Sequence, residues 1–241
     1  MRHPSAHIFD FTPDTLRQWA ISQGLPPFRA AQILEWVYQK GIADPVQMSN
    51  LSKRDRDLLA DPTDGLTFLS GESISHQSAS DGTQKLLVQW DDFGADQRSG
   101  LSLAPPLPSS VASAGGSLRV LNGASGAPDP SRQTECVMIP TEDRKTACIS
   151  SQVGCPVGCK FCASGIGGLD GNLSAGRIVE QVWKLGTLLG GPKEVTAPTG
   201  EGGASVTMSR LPRISNVVFM GMGEPLSNFA NVTKAVRTIA A

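Results

Sequence analysis

Four of the five cysteines of this chain lie close together, between Cys148 and Cys162. Three of them, Cys155, Cys159 and Cys162, follow a C-x3-C-x2-C spacing, and no fourth cysteine lies at a matching distance. Several thiols on one short loop are typical of metal ligands or reactive groups, and an odd count argues against a disulfide framework. The spacing therefore predicts a loop built for metal or thiol chemistry in a reducing compartment.

Three interpretations of these thiols remain open. A [4Fe–4S] cluster held by three thiolates leaves one iron open to a substrate or cofactor, and soft sulfur ligands suit it. A zinc site needs a fourth ligand, which Cys136 or Cys148 could supply. The thiols could also be packed without any ligand. The spacing favours the iron–sulfur cluster over the other two.

Length and composition are those of an ordinary globular chain with one or two domains, at 241 residues, 39% hydrophobic and 18% charged. The formal net charge of −1 argues against a surface that is basic all round, so any nucleic-acid contact needs a local basic patch. No apolar run approaches the roughly 18 residues of a membrane span. Residues 1–10 lack the apolar centre of a secretory signal. We expect a cytoplasmic protein without membrane contact.

Three short helices are predicted in residues 1–65. Thr12 and Pro13 form an N-terminal signal for the first helix, which ends before Gly24. Apolar residues at three-to-four spacing predict a second helix over 28–40, and a third over 53–60 follows Ser52 as its N-cap. Short helices with one apolar stripe each must pack on one another, so this region is interpreted as a small helical module.

The basic residues of this module have two interpretations. They form either a nucleic-acid-binding face or an ordinary solvated surface, since acidic residues are interleaved with them. They are Arg17, Arg29, Lys40, Lys53, Arg54 and Arg56.

Two apolar runs, residues 83–90 and 136–140, predict strands that pair with each other. Residues 99–130 between them are rich in Ser, Gly, Ala and Pro, which predicts a disordered insertion. A second Gly-, Pro- and Thr-rich segment, residues 190–203, follows a helix predicted over 174–189 and is interpreted as a surface insertion.

The last hundred residues alternate strand and helix signals. A β-rich run at 146–150 precedes the cysteine loop and the helix over 174–189. A second run at 214–220 precedes Gly-Met-Gly-Glu-Pro and a helical pattern over 228–241. This alternation predicts parallel βα units, in which chemistry lies in loops at the carboxyl ends of the strands. Both motifs are therefore expected at one edge of the sheet.

The cysteine loop, with Phe161 before its last cysteine, resembles the cluster loop of radical S-adenosylmethionine enzymes. The surrounding motifs resemble, more narrowly, the bacterial dual-specificity methyltransferases that methylate C2 of one adenine in 23S rRNA and one in tRNA. These motifs are Pro27-Phe28-Arg29-Ala30, Ile33-Leu34-Glu35-Trp36-Val37-Tyr38, Ser80-Asp81-Gly82-Thr83, Glu135, Ile139-Pro140, Cys148-Ile-Ser-Ser-Gln-Val-Gly-Cys155, Gln181-Val182-Trp183 and Val217-Val218-Phe219-Met220-Gly-Met-Gly-Glu-Pro-Leu226.

The resemblance implies an α/β fold: a small N-terminal helical accessory domain followed by an incomplete parallel (β/α) radical SAM partial barrel. We place the accessory domain at residues 1–95 and the low-complexity insertion at 96–132. The core follows at 133–241, with the second insertion at about 190–213.

The resemblance also implies roles for individual residues. Cys155, Cys159 and Cys162 would hold a [4Fe–4S] cluster whose fourth iron binds S-adenosylmethionine. Gly223 and Glu224 would contact the methionine end of that cofactor, where a carboxylate can accept from the ammonium group. A tight turn is the alternative for so short a glycine-rich string.

Two further residues match catalytic positions of the family. Glu135 aligns with a glutamate assigned as general base; a solvated surface glutamate is the alternative. Cys148 aligns with the thiol that attacks a methylated partner cysteine and forms a transient disulfide; a structural cysteine is the alternative. Cys136 matches no family role and is assigned to packing.

The implied partners are 23S rRNA, tRNA and an external electron donor of the flavodoxin type, with the protein a monomer. The related adenine C8 methyltransferases share the same motifs and are the alternative within the superfamily. A non-enzymatic zinc-binding RNA module is the alternative from another class.

The sequence departs from the family in one respect. The family mechanism needs a second catalytic cysteine downstream of the Gly-Glu-Pro motif, and this sequence has no cysteine after Cys162. The chain also ends inside a predicted helix. We expect an N-terminal fragment of a longer enzyme, inactive by itself.

Overall fold

The computed structural model describes residues 1–92, 132–190, 193–199, 204–210 and 213–241. The predicted disordered insertion at 99–130 lies outside these described residues. Within them, no helix is both long enough and apolar enough to cross a membrane.

Local sequence signals place the helices of the N-terminal module. Helix α1 (Pro13–Ser22) begins after Thr12, whose hydroxyl accepts a hydrogen bond from the Thr15 amide. Helix α2 (Phe28–Leu34) runs on into a π-helical turn (Glu35–Gln39). Helix α3 (Lys53–Leu59) follows Ser52, which caps it through the Asp55 amide. The three predicted helices and both predicted N-caps are confirmed.

The strands and the remaining helices follow in chain order. They are β1 (Gly71–Ser78), β2 (Gln84–Trp90), β3 (Gln133–Pro140), β4 (Lys145–Cys148), β5 (Gln152–Gly154), β6 (Leu169–Asn172), α4 (Ala175–Thr187), β7 (Lys193–Thr199), β8 (Ala204–Arg210), β9 (Asn216–Val218) and α5 (Phe229–Ala240). Strands β7 and β8 form an antiparallel hairpin within the predicted second insertion.

The main sheet is mixed, in the order β1-β2-β3-β4-β9. Strands β2 and β3 pair, as predicted, and their pairing is antiparallel, whereas β4 pairs parallel with β9. The expectation of a parallel core is therefore correct only at β4 and β9. The strands β1 to β4 are antiparallel because two of their three connections are tight turns, and only a long crossover can join parallel neighbours.

One face of this sheet forms the core. Alternate residues of β2, β3 and β4 point toward this face and are buried; they are Leu86, Val88, Thr134, Cys136, Met138 and Ala147. Helix α4 packs on the same core through Ile178, Val179 and Leu185, all buried. The core residues of the N-terminal module, Ile8 and Phe9 among them, belong to the same cluster.

The other face of the sheet is partly open, and we call it the open face. Directly paired residues of neighbouring strands share a face. Val137 pairs with Lys85 on one side and Cys148 on the other, and Cys148 pairs with Val218. These residues are half-buried or exposed, in contrast to the core face.

Candidate functional site

The cysteine loop leaves the sheet region between β5 and β6. These two strands pair antiparallel, with Gln152 opposite Asn172, so they close the base of the loop. The Cys155 amide donates to the Gly168 carbonyl over 2.8 Å, and the Cys162 amide donates to the Cys159 carbonyl over 3.0 Å. A short β-hairpin thus fixes both ends of a loop whose centre carries the three thiols.

The three thiols lie at or near the surface. Cys159 is exposed, Cys155 and Cys162 are half-buried, and all five cysteines of the chain are free thiols. Cys159 and Cys162 line a cavity of about 370 Å³ together with Phe161, whose side chain is 94% exposed. Hydrogen bonds from the amide and hydroxyl of Ser164 hold the pKa of Cys162 below its ordinary value. This environment favours the thiolate, the form that binds metals.

The thiols are not gathered around a common point. Among the described residues, no group of three or more His, Cys, Asp or Glu side chains is arranged to hold a metal ion. The donor set still has the chemistry of a cluster site, since it supplies three soft sulfur ligands on one exposed loop. The residues therefore fit an iron–sulfur cluster by ligand type and exposure.

The Gly-Met-Gly-Glu-Pro loop lies directly against the residues that lead into the cysteine loop. The Met222 carbonyl accepts from the amides of Ser151 (2.9 Å) and Gln152 (3.3 Å). The Met222 amide donates to the hydroxyl of Ser150 over 2.8 Å. Because β4 and β9 are parallel, the segments after them leave the sheet at the same edge. The prediction that the two motifs share one edge is confirmed.

Two glycines allow this close contact. A Cβ atom at residue 221 would lie 2.7 Å from the Ser150 hydroxyl and 2.8 Å from the Ile149 carbonyl oxygen. A Cβ atom at residue 223 would lie 2.6 Å from the Gln152 Cβ, and Gly223 also has a φ of +99°. Only glycine avoids both steric overlap and strain at residue 223.

Glu224 follows at the start of a 3₁₀ turn (Pro225–Asn228). Its carboxylate accepts from the Leu226 amide over 3.1 Å, so it caps the turn that leads into α5. Its own amide donates to the Gln152 side chain over 2.7 Å. The backbone on both sides of this carboxylate is therefore fixed.

Glu135 and Cys148, the two predicted catalytic residues, lie on the open face. Cys148 pairs with Val137, two residues beyond Glu135 on β3, so the two side chains are diagonal neighbours about 7–8 Å apart by strand geometry. The Glu135 carboxylate is half-exposed and forms an ion pair with Lys85, at 3.0 Å. Partial burial raises the pKa of Cys148, and a hydrogen bond with the backbone of Met220 opposes that rise.

Cys136 lies on the core face, one residue from Glu135. It is 1% exposed, and burial raises its pKa to about 12. Strand alternation separates it from Cys148 and Glu135, in agreement with its assignment to packing.

The sequence did not predict the role of several side-chain amides that hold the site together. Gln181 of α4 accepts from the Ser150 amide and donates to the Ser150 carbonyl, at 2.9 and 3.0 Å. Asn228 donates to the carbonyls of Ser151 and Leu173, both at 2.8 Å. Their partners are 31 to 77 residues away in the sequence. The one feature of the sequence that could have indicated a role for Gln181 is that it is a polar residue on an apolar helix face.

Comparison with solved structures defines the class of protein. The fold matches a radical SAM methyltransferase from Sphaerobacter thermophilus with a TM-score of 0.66 and 27% sequence identity. The match covers 98% of this chain and 52% of that protein. The chain therefore shares its fold with a radical SAM methyltransferase.

Comparison of sequences finds relatives of one kind. Residues 6–63 match the ribosomal RNA large subunit methyltransferase N-terminal domain. The dual-specificity RNA methyltransferase RlmN of Dichelobacter nodosus is 34% identical over 95% of this chain and 48% of the relative. The RlmN of Jannaschia sp. is 38% identical over 96% of this chain and 47% of the relative. A probable RlmN of Geobacillus kaustophilus is 31% identical over 98% and 48%.

The chain is therefore a homologue of the RlmN dual-specificity RNA methyltransferases, and the resemblance inferred from its motifs is confirmed. It spans about half the length of the curated relatives it matches.

Proposed function

We propose that this chain is the cluster-bearing part of a radical SAM RNA methyltransferase that modifies C2 of a specific adenine in 23S rRNA and in tRNA. One observation carries the proposal. The Gly-Met-Gly-Glu-Pro loop is hydrogen-bonded to Ser150 and Gln152, which lead into the cysteine loop, beside an open sheet face that bears Glu135 and Cys148. Sequence relatives named dual-specificity RNA methyltransferases support an RNA methyltransferase.

Cys155, Cys159 and Cys162 are the proposed ligands of a [4Fe–4S] cluster. Such a cluster, when bound, would supply the electron that cleaves a carbon–sulfur bond of S-adenosylmethionine. The protein's part is to present three thiolates on one loop and to leave the fourth iron position without a protein ligand. The exposed loop and the cavity beside Cys159 and Cys162 support this role.

Gly223 and Glu224 are the proposed contacts for the methionine end of the cofactor. The missing side chain of Gly223 lets this loop pack closely on Gln152, and the Glu224 carboxylate can accept from an ammonium group. The Leu226 amide holds this carboxylate, and the bond from the Glu224 amide to Gln152 holds its backbone, before a ligand binds.

Glu135 and Cys148 are the proposed reacting groups of this chain. Glu135 would accept the proton from adenine C2, and its position on the open face leaves it accessible to a base presented by RNA. The Cys148 thiolate would attack the sulfur of the partner cysteine that carries the methylene group on the adenine; the S–S bond forms as the S–C bond breaks, and the electron pair of that bond leaves with the product. The thiolate is the nucleophile, and the raised pKa of Cys148 disfavours this form in the resting chain.

Anaerobic reconstitution with iron and sulfide tests the cluster. We expect a brown chromophore that dithionite bleaches, with about four irons per chain, and its loss in Cys159→Ala. Cys136→Ala is the matched control, since that thiol lies in the core and its loss should leave the chromophore intact. Stoichiometric zinc without a chromophore would favour the zinc-binding module instead.

The 241-residue chain by itself is expected not to complete methylation, because no cysteine follows Cys162 to carry the methyl group. Purified chain, S-adenosylmethionine, reductant and an rRNA fragment should give no methyladenosine by mass spectrometry. A methylated product would contradict this expectation, and its fragmentation would distinguish C2 from C8 methylation.

The N-terminal module is the proposed RNA-binding region, but only some of its basic residues are available. Residues 1–65 carry seven basic and eight acidic side chains, so binding must be local. Arg29 pairs with Asp55 at 3.0 Å in a mostly buried site, and Lys40 pairs with Glu35 at 3.1 Å. Lys53 and Arg54, by contrast, are exposed at the start of α3.

We therefore predict that Lys53→Glu with Arg54→Glu weakens RNA binding about tenfold or more at low salt, with a smaller salt dependence than the parent. The measurement is a fluorescence anisotropy titration at several salt concentrations. Asp57→Lys adds charge on the same helix and should strengthen binding. An unchanged affinity of the double variant for RNA would show that these residues form an ordinary solvated surface.

A further inference from the structure

Gln152 contacts both the β5–β6 hairpin, which closes the base of the cysteine loop, and the Gly-Met-Gly-Glu-Pro loop. It is fully buried, at 0% exposure. Its side-chain oxygen accepts from the Glu224 amide over 2.7 Å, and its side-chain nitrogen donates to the Asn172 side-chain oxygen over 2.7 Å. Both ends of one buried amide are thus satisfied by residues from different segments.

One partner belongs to the hairpin that carries the cysteine loop, and the other belongs to the loop after β9. Asn172 ends β6, opposite Gln152 in the hairpin that closes the base of the cysteine loop. Glu224 belongs to the loop after β9. The contact is also close sterically, since a Cβ atom at residue 223 would overlap the Gln152 side chain at 2.6 Å. A movement of either loop would therefore have to displace Gln152.

We propose that Gln152 is a positioning residue that couples the orientation of Glu224 to the state of the cysteine loop. The identity of the ligands, a cluster on one loop and S-adenosylmethionine on the other, rests on the proposed function; the coupling itself rests on the contacts of Gln152. A polar group buried at 0% exposure that lost both partners would be costly, so the amide holds both loops in one arrangement.

Hydrogen exchange at the Glu224 amide tests the first half of the proposal. In the chain without a cluster, Gln152→Ala should speed exchange at this amide about tenfold, because the acceptor is lost. Gln133→Ala is the matched control: it removes a side-chain amide bond to Gln89 of the same kind, at 3.0 Å, away from both loops. Mass spectrometry of fragments that isolate the Glu224 amide gives the rates.

Cluster assembly tests the coupling. Reconstitution should slow exchange at the Glu224 amide severalfold in the parent chain and by less than about twofold in Gln152→Ala. Asn172→Ala is a second variant, and it should leave the fold intact because Asn172 is exposed. It keeps the Gln152 oxygen that accepts from the Glu224 amide but removes the hydrogen bond between Gln152 and the hairpin. It should retain slow exchange without the cluster and lose the additional slowing on reconstitution.

The outcomes separate the two proposals. Unchanged Glu224 exchange in Gln152→Ala, or full cluster-linked slowing in both variants, overturns the role of Gln152. Failure of the parent chain to form a chromophore overturns the proposed function instead, while exchange without the cluster still decides whether Gln152 holds Glu224. If Gln152→Ala does not fold, Gln152→Met fills the same space without the acceptor and should show the same faster exchange.

Discussion

At the scale of single residues, glycines decide how closely the two loops of the site approach. Gly221 and Gly223 stand where any side chain would meet the backbone or side chains of residues 149–152. Gly223 adds a backbone conformation that L-residues avoid, with φ at +99°. The close approach in turn allows the hydrogen bonds from Ser151, Gln152 and Met222.

We predict that Gly223→Ala lowers the free energy of unfolding by about 2–4 kcal/mol, since strain and overlap add. Gly186→Ala is the control. Gly186 lies in α4 with open space around it, so alanine should raise stability by about 0.5 kcal/mol through helix propensity. Urea denaturation followed by circular dichroism measures both. Equal effects of the two substitutions would contradict the steric argument.

At the scale of elements, α4 joins the N-terminal module to the sheet. Its Trp183 donates to the Val37 carbonyl over 2.8 Å. Its Glu180, fully buried, accepts from the Ser70 amide and hydroxyl at 2.9 and 2.8 Å and lies 3.0 Å from the His7 ring. Lys184 lies 3.4 Å from the same carboxylate. One buried carboxylate thus ties together segments that are far apart in sequence.

The charge of Glu180 is favoured in the folded state. Burial alone would raise its pKa, but the hydrogen bond and charge of His7, the charge of Lys184 and the Ser70 amide lower the pKa below its ordinary value of 4.5. A carboxyl group whose pKa is lowered in the folded state makes its full contribution to folding stability at pH values above its ordinary pKa. That contribution is lost as the pH falls through the folded-state pKa.

We predict that Glu180→Gln costs about 3 kcal/mol at pH 7, because Lys184 loses its buried counter-charge. Urea midpoints between pH 7 and 3 should fall steeply below about pH 4.5 in the parent and less in the variant. Glu72→Gln, at an exposed position on β1, should change stability by less than about 0.5 kcal/mol. Parallel pH profiles for parent and Glu180→Gln would contradict this account.

At the scale of the whole molecule, the helical module and the sheet share one core. Ile8 and Phe9 of the N-terminal segment belong to the same cluster of buried side chains as Val88 of β2 and Ile178 of α4. Phe9 also stacks near Trp183 of α4, with ring centroids 5.8 Å apart. The boundary predicted at residue 95 lies outside the described residues, and the strands that precede and follow it in the chain, β2 and β3, pair in one sheet.

We predict that module and sheet unfold together in a single transition, because neither can lose its contacts without exposing the shared core. The four tryptophans report on both parts: Trp19 and Trp36 lie in the module, Trp90 in β2 and Trp183 in α4. Labelling with 5-fluorotryptophan and following the four ¹⁹F resonances in urea should give one midpoint. Earlier loss of the Trp19 and Trp36 signals would show that the module unfolds separately.

The sequence alone predicts what neighbouring residues determine. Helix starts at Thr12 and Ser52 are predictable because a capping side chain bonds to an amide three residues away. The cysteine spacing and the motifs that connect the chain to its relatives are equally local, so they predicted the family and the shared edge of the two loops. Two apolar runs predicted that β2 and β3 pair, and the structure adds that they are antiparallel.

Only the tertiary structure decides which distant groups meet. Strand pairing was predicted only in part, because it depends on connections between distant segments. The expected parallel pair is present at β4 and β9, and the other pairs of this sheet are antiparallel. Gln152 and Glu224 are 72 residues apart, and His7 and Glu180 are 173 apart. Each buried amide or carboxylate has many possible partners in the sequence, and packing selects one, because a buried polar group is stable only with its hydrogen bonds satisfied.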